Sequence, residues 1–449
     1  MTEFEAVAAG VRERVEPDEA ERERLEGAVD RLTGRARDAV ADLPVEAEVR
    51  HVGSTARDTW ISGDRDIDLF VRFPVDLDRE DLGTYGLEVG HAVLPEGREE
   101  YAEHPYVTGP FEGFDVDLVP CYAVASGRDI VSAVDRTPFH NDYLEERLTP
   151  ALAGEVRIFK QFLKGIGVYG SDLRTEGFSG YLTELLVLAF GGARETLAAA
   201  ADWHPPVELD PEDHGTETFE DPLVVIDPTD PERNVAAVLA PHNLARLQHH
   251  ARAVLETPEV GRFYPDSPEA LSAEAVRGYV EDRGTTPVAV VFDAPDVVED
   301  ELYPQLRKSL AGIGDHLDRR GFDVLRRAAF ARERAVLFLE LAVARRPAVE
   351  RHEGPPVHVR DHAESFYDAY ADADAYGPFI KGERYVVERE REWRSAPALL
   401  RSEAVFGARL GPAVEEAMSA GYEVLVGETV ASLAGEFGAD LADYFGPRP

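Results

Sequence analysis

Aspartates occur at alternate positions in two short β-rich runs of this chain. The first run contains Asp66 and Asp68, and the second contains Asp115 and Asp117. Alternate residues of a strand face the same side of a sheet, with Cα atoms about 6.5–7 Å apart. Two Mg²⁺ ions held roughly 3.5–4 Å apart need clustered carboxylate oxygens of this kind. The pattern therefore predicts a two-metal site on neighbouring strands, and spacing alone leaves open whether Asp64 or Asp66 is the partner of Asp68.

A glycine and a serine precede the first aspartate run by about a dozen residues. Gly53-Ser54 follows a β-rich segment and is predicted to open a helix, where free backbone N–H groups and the hydroxyl can hold a phosphate. Arg57 comes one helical turn later and suits the same anion. Each part is weak evidence alone, and a lone Asp-x-Asp is more often a solvated strand face. The conjunction of Gly-Ser, Asp-x-Asp and a later strand aspartate is far more specific.

A further group of candidate residues is basic. Arg157, Lys160 and Lys164 fall at positions i, i+3 and i+7, which places them on one stripe of a predicted helix. The chain has only four lysines, so two of them on one stripe favour an anionic partner such as a triphosphate. A solvated basic face is the alternative.

The chain is strongly acidic, with 47 Lys and Arg against 87 Asp and Glu and a net charge of −40. Such a charge destabilises a compact state unless salt screens it, and at about 1 M salt the Debye length is roughly 3 Å. We interpret the acidity as adaptation to a salty cytosol; an acidic protein that avoids nucleic acid is the alternative on charge alone. Residues 201–300 contain 22 acidic and 6 basic side chains, whereas residues 301–350 contain 7 and 10. The second window is therefore a candidate RNA-facing surface.

The sequence shows neither a membrane-spanning stretch nor a signal-peptide pattern. No apolar stretch approaches the roughly 18–20 residues that cross a bilayer, and the acidic first residues contain no signal-peptide core. The single cysteine, Cys121, excludes an internal disulfide and a multi-cysteine metal site. These features predict a cytoplasmic protein.

Periodicity predicts the secondary structure in outline. Residues 1–42 alternate charge at helical spacing and predict one or two surface helices, and 202–232 is predicted to be a Pro- and Asp-rich connector with one strand. From residue 286 the β-α-β-β order favours a small α+β RNA-binding-type module. The predicted helices are Gly154–Gly165, Tyr181–Phe190 with Ser179 as N-cap, about 233–256, 267–283 and Glu301–Arg319. The predicted strands are Val45–Val52, Asp66–Arg72, Phe114–Val119, Leu223–Ile226, Val288–Phe292, Asp323–Ala329, Ala335–Ala342 and Tyr385–Glu388.

Several further segments resemble one enzyme family. They are Ala102–Val107, Val116–Tyr122, Ser132–His140, Gly167–Gly170, Gly177–Leu182 and Arg233–Ala237. With the Gly-Ser and Asp-x-Asp pieces, they are similar to the archaeal (class I) CCA-adding enzymes, tRNA nucleotidyltransferases of the polymerase-β-like superfamily. The likeness runs through most of residues 40–350 in the family's order. It implies an α+β, multidomain chain with a nucleotidyltransferase head, a helical neck, and an α+β RNA-binding body and tail.

The resemblance implies template-independent addition of C, C and A to the 3′ end of tRNA from CTP and ATP. The implied chemistry is two-metal in-line nucleotidyl transfer, which uses Mg²⁺ and releases pyrophosphate. The implied domains are a catalytic head over 1–149, a neck over 150–284 that completes the nucleotide site, and a tRNA-binding body and tail over 285–449. The family also suggests a homodimer through the C-terminal region. Two alternatives remain: another template-free transferase similar to a poly(A) polymerase, and a catalytically silent RNA-binding protein, which would have a broken carboxylate triad.

The resemblance also implies roles for individual residues. Asp66, Asp68 and Asp117 would be the catalytic, metal-binding carboxylates, with Asp117 nearest the RNA 3′-hydroxyl. Many archaeal members have Glu where this chain has Asp66, so the metal geometry would have to adjust to the shorter side chain. The implied nucleotide-binding residues are Ser54, Arg57, Thr137, His140, Lys160, Tyr169 and Arg233, the last of which would help to read the base. The candidate tRNA-binding residues are Glu103 and His104, near the acceptor end, and Arg307 and Lys308 in the basic window.

Overall fold

The computed structural model describes residues 2–101, 103–266 and 268–449. Chain contacts divide it into an N-terminal unit, which runs to Asp266 and includes Pro449, and a C-terminal unit, which runs to Arg448. The three-domain division stays a prediction. One helix of the predicted neck, Ala273–Arg283, lies in the C-terminal unit because its Val276 and Val280 pack in a core of that unit.

The N-terminal unit is a mixed α+β structure. Its helices are α1 (Glu3–Val15), α2 (Glu19–Ala41), α3 (Gly53–Ala56), α4 (Arg79–Val93), α5 (Thr137–Glu145), α6 (Pro150–Gly165), α7 (Gly180–Phe190), α8 (Ala193–Ala201) and α9 (Pro241–Glu256). Its strands are β1 (Glu48–Val52), β2 (Asp66–Phe73), β3 (Arg98–Tyr101), β4 (Pro105–Phe111), β5 (Phe114–Tyr122), β6 (Val207–Leu209), β7 (Leu223–Asp227) and β8 (Asp230–Asn234). The helical prediction for residues 1–42 is confirmed: α1 and α2 each begin at a capping box, which satisfies free N–H groups of the first turn.

A five-stranded sheet carries both aspartate runs. Its strand order is β1-β2-β5-β4-β3, and β2 and β5 are parallel neighbours. Ile67 and Leu69 of β2, like Val116 and Leu118 of β5, are fully buried in a core with residues of α2 and α4. Because successive side chains of a strand alternate, the aspartates of both strands project from the opposite face. The predicted strands are confirmed, and their apolar parity sets the face that the acids occupy.

A second core joins α1 with the helices α6 to α9. The predicted helices Gly154–Gly165 and Tyr181–Phe190 are confirmed, since α6 and α7 cover them. The hydroxyl of Ser179 accepts the backbone N–H of Leu182, 3.0 Å away, as expected of an N-cap.

The prediction for residues 202–240 is partly wrong. The predicted strand at 223–226 is present, but it belongs to a sheet of order β6-β7-β8, and α9 begins only at Pro241. The sequence of β8 (Asp-Pro-Glu-Arg-Asn) has no β-rich pattern, so local preference does not reveal it. It forms as the antiparallel partner of β7, where the Asn234 amide donates to the Leu223 carbonyl and accepts the Val225 N–H.

The described residues of the C-terminal unit form two sheets. Its helices are α10 (Ala273–Arg283), α11 (Glu299–Asp318), α12 (Arg360–Tyr370), α13 (Ala396–Leu400), α14 (Pro412–Ala420) and α15 (Ala434–Phe445). Its strands are β9 (Thr286–Asp293), β10 (Val324–Ala331), β11 (Arg334–Leu341), β12 (Val349–Pro356), β13 (Ala375–Lys381), β14 (Arg384–Glu390) and β15 (Glu423–Val426). The orders are β10-β11-β9-β15 and β12-β14-β13. The β-α-β-β prediction is confirmed, whereas β12, β13 and β15 were not predicted. β12 is rich in charge, β13 is interrupted by Gly-Pro and β15 has only four residues, so none shows a periodic apolar signal.

Among the described residues, none of the helices is both long and apolar enough to span a bilayer.

Candidate active site

The register of the parallel pair β2 and β5 places Asp68 opposite Asp117, and Asp66 opposite Asp115. All four carboxylates therefore leave the same face of the sheet. Asp64 lies in the turn before β2, where it binds Lys160 at 2.6 Å and Lys164 at 2.8 Å. Of the two candidate partners, Asp66 shares a strand face with Asp68, while Asp64 is engaged by lysines.

Crowded negative charge marks this face of the sheet. Burial, with the neighbouring charges of Asp117 and Asp66, raises the pKa of Asp68 to about 7, against the opposing charge of Arg57. Burial also raises the pKa of Asp66, with the charges of Asp64 and Asp115 acting in the same direction. Carboxylates held together against their repulsion are a suitable arrangement for a cation.

The possible metal ligands of this site are carboxylate oxygens. Among the described residues, no group of three or more His, Cys, Asp or Glu side chains is arranged to hold a metal alone. Asp68 and Asp117 nevertheless supply two hard oxygen ligands side by side. Mg²⁺ is usually bound by one or two carboxylates together with substrate phosphates and water. These two carboxylates fit a divalent cation such as Mg²⁺ in that form.

The backbone conformation and close packing at residue 53 explain why a glycine precedes the acidic strand β2. It opens the one-turn helix α3 with φ +84°, a backbone conformation that disfavours residues with a Cβ. A Cβ added there would lie 2.1 Å from Oδ2 of Asp68. The Gly-Ser turn is thus packed directly against one of the paired carboxylates, and the prediction that Gly53-Ser54 opens a helix after a strand is confirmed.

Arg57 is held by a carboxylate that sequence reasoning missed. Its Nε and one terminal nitrogen donate to the two oxygens of Glu184 at 3.1 and 2.7 Å, and the other terminal nitrogen donates to Asn141 at 2.8 Å. Thr59 also donates its hydroxyl to Glu184. The Glu184 side chain is 2% exposed. A single acid inside the apolar run Gly180–Phe190 was the available signal.

A cavity of about 200 Å³ adjoins these groups. Four of the predicted nucleotide-binding residues contribute to its wall: Ser54, Arg57, Lys160 and Tyr169. The Lys160 ammonium lies 5.3 Å from the centre of the Tyr169 ring.

The basic stripe on α6 has acidic protein partners in the structure. The buried Arg157 donates to the Asp58 carbonyl and lies 3.5 Å from the Asp58 and Glu16 carboxylates, while both lysines bind Asp64. Burial would raise the pKa of Asp64, but the charges and hydrogen bonds of the lysines outweigh it and lower that pKa.

The remaining predicted nucleotide-binding residues form a second cluster on α5 and the β7–β8 hairpin. His140 Nε2 lies 2.7 Å from Oδ2 of Asp227, and Arg233 donates to the same oxygen at 2.7 Å. Thr137 begins α5 one turn before His140 and lies on the same side of that helix. Sequence reasoning assigned no role to Asp227, because it occurs among many acids of a segment interpreted as a connector.

Glu103 and His104 lie apart from the acidic cluster. They occupy the turn between β3 and β4, and Ala102, the first residue of their motif, is outside the described residues. The His104 ring contacts Tyr122, five residues beyond Asp117 on β5 and therefore about 16 Å further along the strand. His104 is 3% exposed, and neither ring nitrogen has a hydrogen-bond partner among the described residues.

Arg307 and Lys308 belong to the C-terminal unit. Both lie on α11, where Lys308 is exposed and Arg307 is partly buried.

Family models cover three successive parts of the chain. A nucleotidyltransferase domain matches residues 34–140, the second domain of tRNA nucleotidyltransferase matches residues 154–264, and the C-terminal domain of CCA-adding enzyme matches residues 283–427.

Whole-chain relatives are similar over nearly their full length. The CCA-adding enzyme of Haloarcula marismortui is 61% identical over 100% of this chain and 99% of its own length. That of Halorubrum lacusprofundi is 58% identical over 100% of both chains. The CCA-adding enzyme of Methanosarcina barkeri is 41% identical over 94% of each chain.

Proposed function

Because the chain belongs to the family of CCA-adding enzymes, we propose that it adds C, C and A to the 3′ end of tRNA. It takes the nucleotides from CTP and ATP without a nucleic-acid template and releases pyrophosphate at each addition. The observation that carries the proposal for this chain is the in-register pair Asp68 and Asp117 beside the Gly53-Ser54 turn.

The proposed metal ligands are Asp66, Asp68 and Asp117. Asp68 and Asp117 are neighbours across parallel strands, and Asp66 is on the same strand face two residues before Asp68. Bound Mg²⁺ would lower the pKa of the RNA 3′-hydroxyl and neutralise charge on the departing pyrophosphate. The Asp66 side chain is one methylene shorter than the Glu that the resemblance implies for many family members, so it would have to approach the metal more closely.

The proposed triphosphate pocket is the cavity beside these carboxylates. Ser54 offers a hydroxyl at the start of α3, and Arg57, although paired with Glu184 and Asn141, contributes to the cavity wall. Lys160 would exchange its contact with Asp64 for a contact with phosphate. The buried pair of Arg57 and Glu184 sets the guanidinium plane before the nucleotide arrives, which reduces the ordering cost of binding.

The proposed contacts to ribose and base come from the second cluster. Thr137 and His140 lie on α5, and Arg233 lies on β8 with its side chain one third exposed. Tyr169 would contribute from the lysine side of the cavity. Arg233 would help to select the base because a guanidinium offers several N–H donors in a fixed plane.

Contacts to tRNA are proposed at both units. Glu103 and His104 suit an RNA end that runs past the C-terminal part of β5, where Glu103 is exposed and the buried His104 ring would have to be uncovered to reach the RNA. Arg307 and Lys308 are proposed to contact phosphates from α11, since charged contacts dominate RNA affinity. A homodimer through the C-terminal region and a cytoplasmic location complete the proposal.

Incubation with tRNA that lacks its terminal CCA tests the function directly. The assay contains labelled CTP and ATP, Mg²⁺ and molar KCl, and it should yield three additions in the order C, C, A. Continued addition of A would instead support an enzyme similar to a poly(A) polymerase. Binding of tRNA without incorporation of either nucleotide would support a catalytically silent RNA-binding protein.

A further inference from the structure

Asp227 takes part in five side-chain hydrogen bonds among the described residues, and its side chain is fully buried. Its Oδ1 accepts the backbone N–H and the hydroxyl of Thr229, both at 2.9 Å, and the hydroxyl of Tyr181 at 3.3 Å. Its Oδ2 faces His140 and Arg233, both at 2.7 Å. One oxygen therefore anchors the carboxylate in its own hairpin, and the other holds two proposed nucleotide-binding residues.

The protonation states of Asp227 and His140 agree with these hydrogen-bonding roles of the two carboxylate oxygens. Burial would raise the pKa of Asp227, but the hydrogen bonds from His140 and Thr229 and the charge of Arg233 outweigh burial and lower that pKa, so the group is a carboxylate. Burial lowers the pKa of His140 and outweighs the hydrogen bond and charge of Asp227, which act to raise it. A neutral imidazole that faces a carboxylate through Nε2 carries its proton on that nitrogen, so Asp227 also fixes the tautomer of His140.

His140 is restrained by ring stacking and a hydrogen bond, and Arg233 is restrained by one charge-assisted hydrogen bond. The His140 ring stacks on Tyr181 with centroids 3.9 Å apart and planes 16° apart. Arg233 uses one terminal nitrogen for Asp227, and its Nε and other terminal nitrogen have no protein partner among the described residues. Those free N–H groups are the ones available to a ligand.

We propose that Asp227 is a positioning residue for nucleotide selection, which acts by holding His140 and Arg233 in fixed orientations toward the bound base and sugar. This inference rests on the proposed function. The Asp227 side chain itself has no access to solvent, so it acts through its two partners.

The substitution Asp227→Asn separates the roles of the two oxygens. An amide keeps the size of the side chain but presents one NH₂ group where the carboxylate had an acceptor. With the amide oxygen toward Thr229 and Tyr181, the NH₂ group faces the donors of His140 and Arg233. Those two residues then lose their common acceptor while the hairpin keeps its anchor.

A matched control lies on the same hairpin. Asp230 binds Arg136 at 3.0 Å and is also nearly buried, so it fastens the hairpin next to α5 without contacting His140 or Arg233. The variant Asp230→Asn measures the effect of a weaker hairpin attachment alone. Melting temperatures of both variants would show that they are folded.

The experiment measures KM and kcat for CTP and ATP on tRNA acceptors that require each nucleotide, and the ratio of CTP to UTP incorporation. We expect Asp227→Asn to raise KM about ten-fold, as for the loss of one charge-assisted hydrogen bond, and to lower the CTP preference. Asp230→Asn should leave both quantities near those of the wild type. In the double variant with Arg233→Ala, the Asp227→Asn effect should be smaller than in the wild-type background.

Three outcomes would overturn the inference: unchanged KM and selectivity in Asp227→Asn, the same loss in Asp230→Asn, or strictly additive effects with Arg233→Ala. Dissociation constants for CTP and ATP, measured calorimetrically without tRNA, keep the test separate from the proposed function. If the wild-type chain added no CCA to tRNA, the proposed function would fail, and the affinities would still report on Asp227.

Discussion

Gly53 packs so closely against Asp68 that a methyl group on its Cα would lie 2.1 Å from Oδ2 of that carboxylate. The turn that is proposed to receive phosphate and the strand that is proposed to hold metal are therefore in direct contact. A change at Gly53 acts on Asp68 as well as on its own backbone.

Gly53→Ala should lose both stability and activity. Gly63 is a matched control because its φ of +89° is similar to the +84° of Gly53, while nothing lies within 4 Å of an added Cβ. We expect each alanine to cost about 1 kcal/mol of unfolding free energy from backbone strain. Only Gly53→Ala should also abolish CTP incorporation, because it displaces Asp68. Equal activity of the two variants would contradict the proposed contact.

Asp68→Asn and Asp117→Asn should each reduce incorporation by roughly a thousandfold, which corresponds to about 4 kcal/mol of lost charge stabilisation in the transition state. The comparison variant is Asp115→Asn, two residues before Asp117 on the same face but opposite Asp66. We expect a much smaller effect there.

Chelation of divalent cations should abolish wild-type incorporation, Mg²⁺ should restore it, and tRNA affinity should persist in all variants. Chelator-resistant activity would rule out the metal proposal.

Glu184→Gln should be strongly destabilising. It would leave Arg57, 8% exposed, without its counter-charge, and breaking a buried pair costs about 3–5 kcal/mol. Glu112→Gln is the control, since Glu112 also binds an arginine, Arg31, through two oxygens but at an exposed site, where about 0–1 kcal/mol is expected. Urea unfolding in molar KCl measures both. Similar losses would mean that burial does not set the contribution of the Arg57 pair.

Glu340 should give the C-terminal unit a dependence on acid pH. Its buried carboxylate accepts hydrogen bonds from Arg283, Thr285 and Tyr444, and these outweigh burial and lower its pKa. A carboxyl whose pKa is lowered on folding stabilises the protein above its unfolded pKa of about 4.3 and loses that contribution as pH falls through the folded value. The unfolding free energies of wild type and Glu340→Gln should therefore differ at pH 7 and converge below about pH 4. A constant difference across pH 3–7 would contradict this linkage.

Salt should raise the melting temperature of the whole chain. A net charge of −40 repels itself over a Debye length of roughly 30 Å at 0.01 M salt, but only about 3 Å at 1 M. We expect a steep rise between those KCl concentrations. Sucrose at matched osmolality favours the compact state without screening charge. It therefore distinguishes charge screening from a general osmolyte effect as the cause of stabilisation. An equal rise in sucrose would show that charge repulsion is not the cause.

Features that depend on local pattern could be read from the sequence. Charge spacing predicted α1 and α2, and β-rich runs with aspartates at alternate positions predicted β2 and β5 with their acids on one face. The resemblance then selected Asp66, Asp68 and Asp117 from 87 acidic residues. Strand β8 escaped prediction because its five residues are polar and extended only through pairing with β7.

The sequence by itself determined which chemical groups the site contains and which face of each strand or helix they occupy, because side-chain direction follows from the period of the element. Only the tertiary structure decided which distant groups are partners: Glu184 for Arg57, Asp64 for the two lysines, and Asp227 for His140 and Arg233. Many acids of this chain are equivalent in local pattern. Partner choice depends instead on register, burial and close packing between segments that lie up to 127 residues apart, and none of these is encoded in a short window.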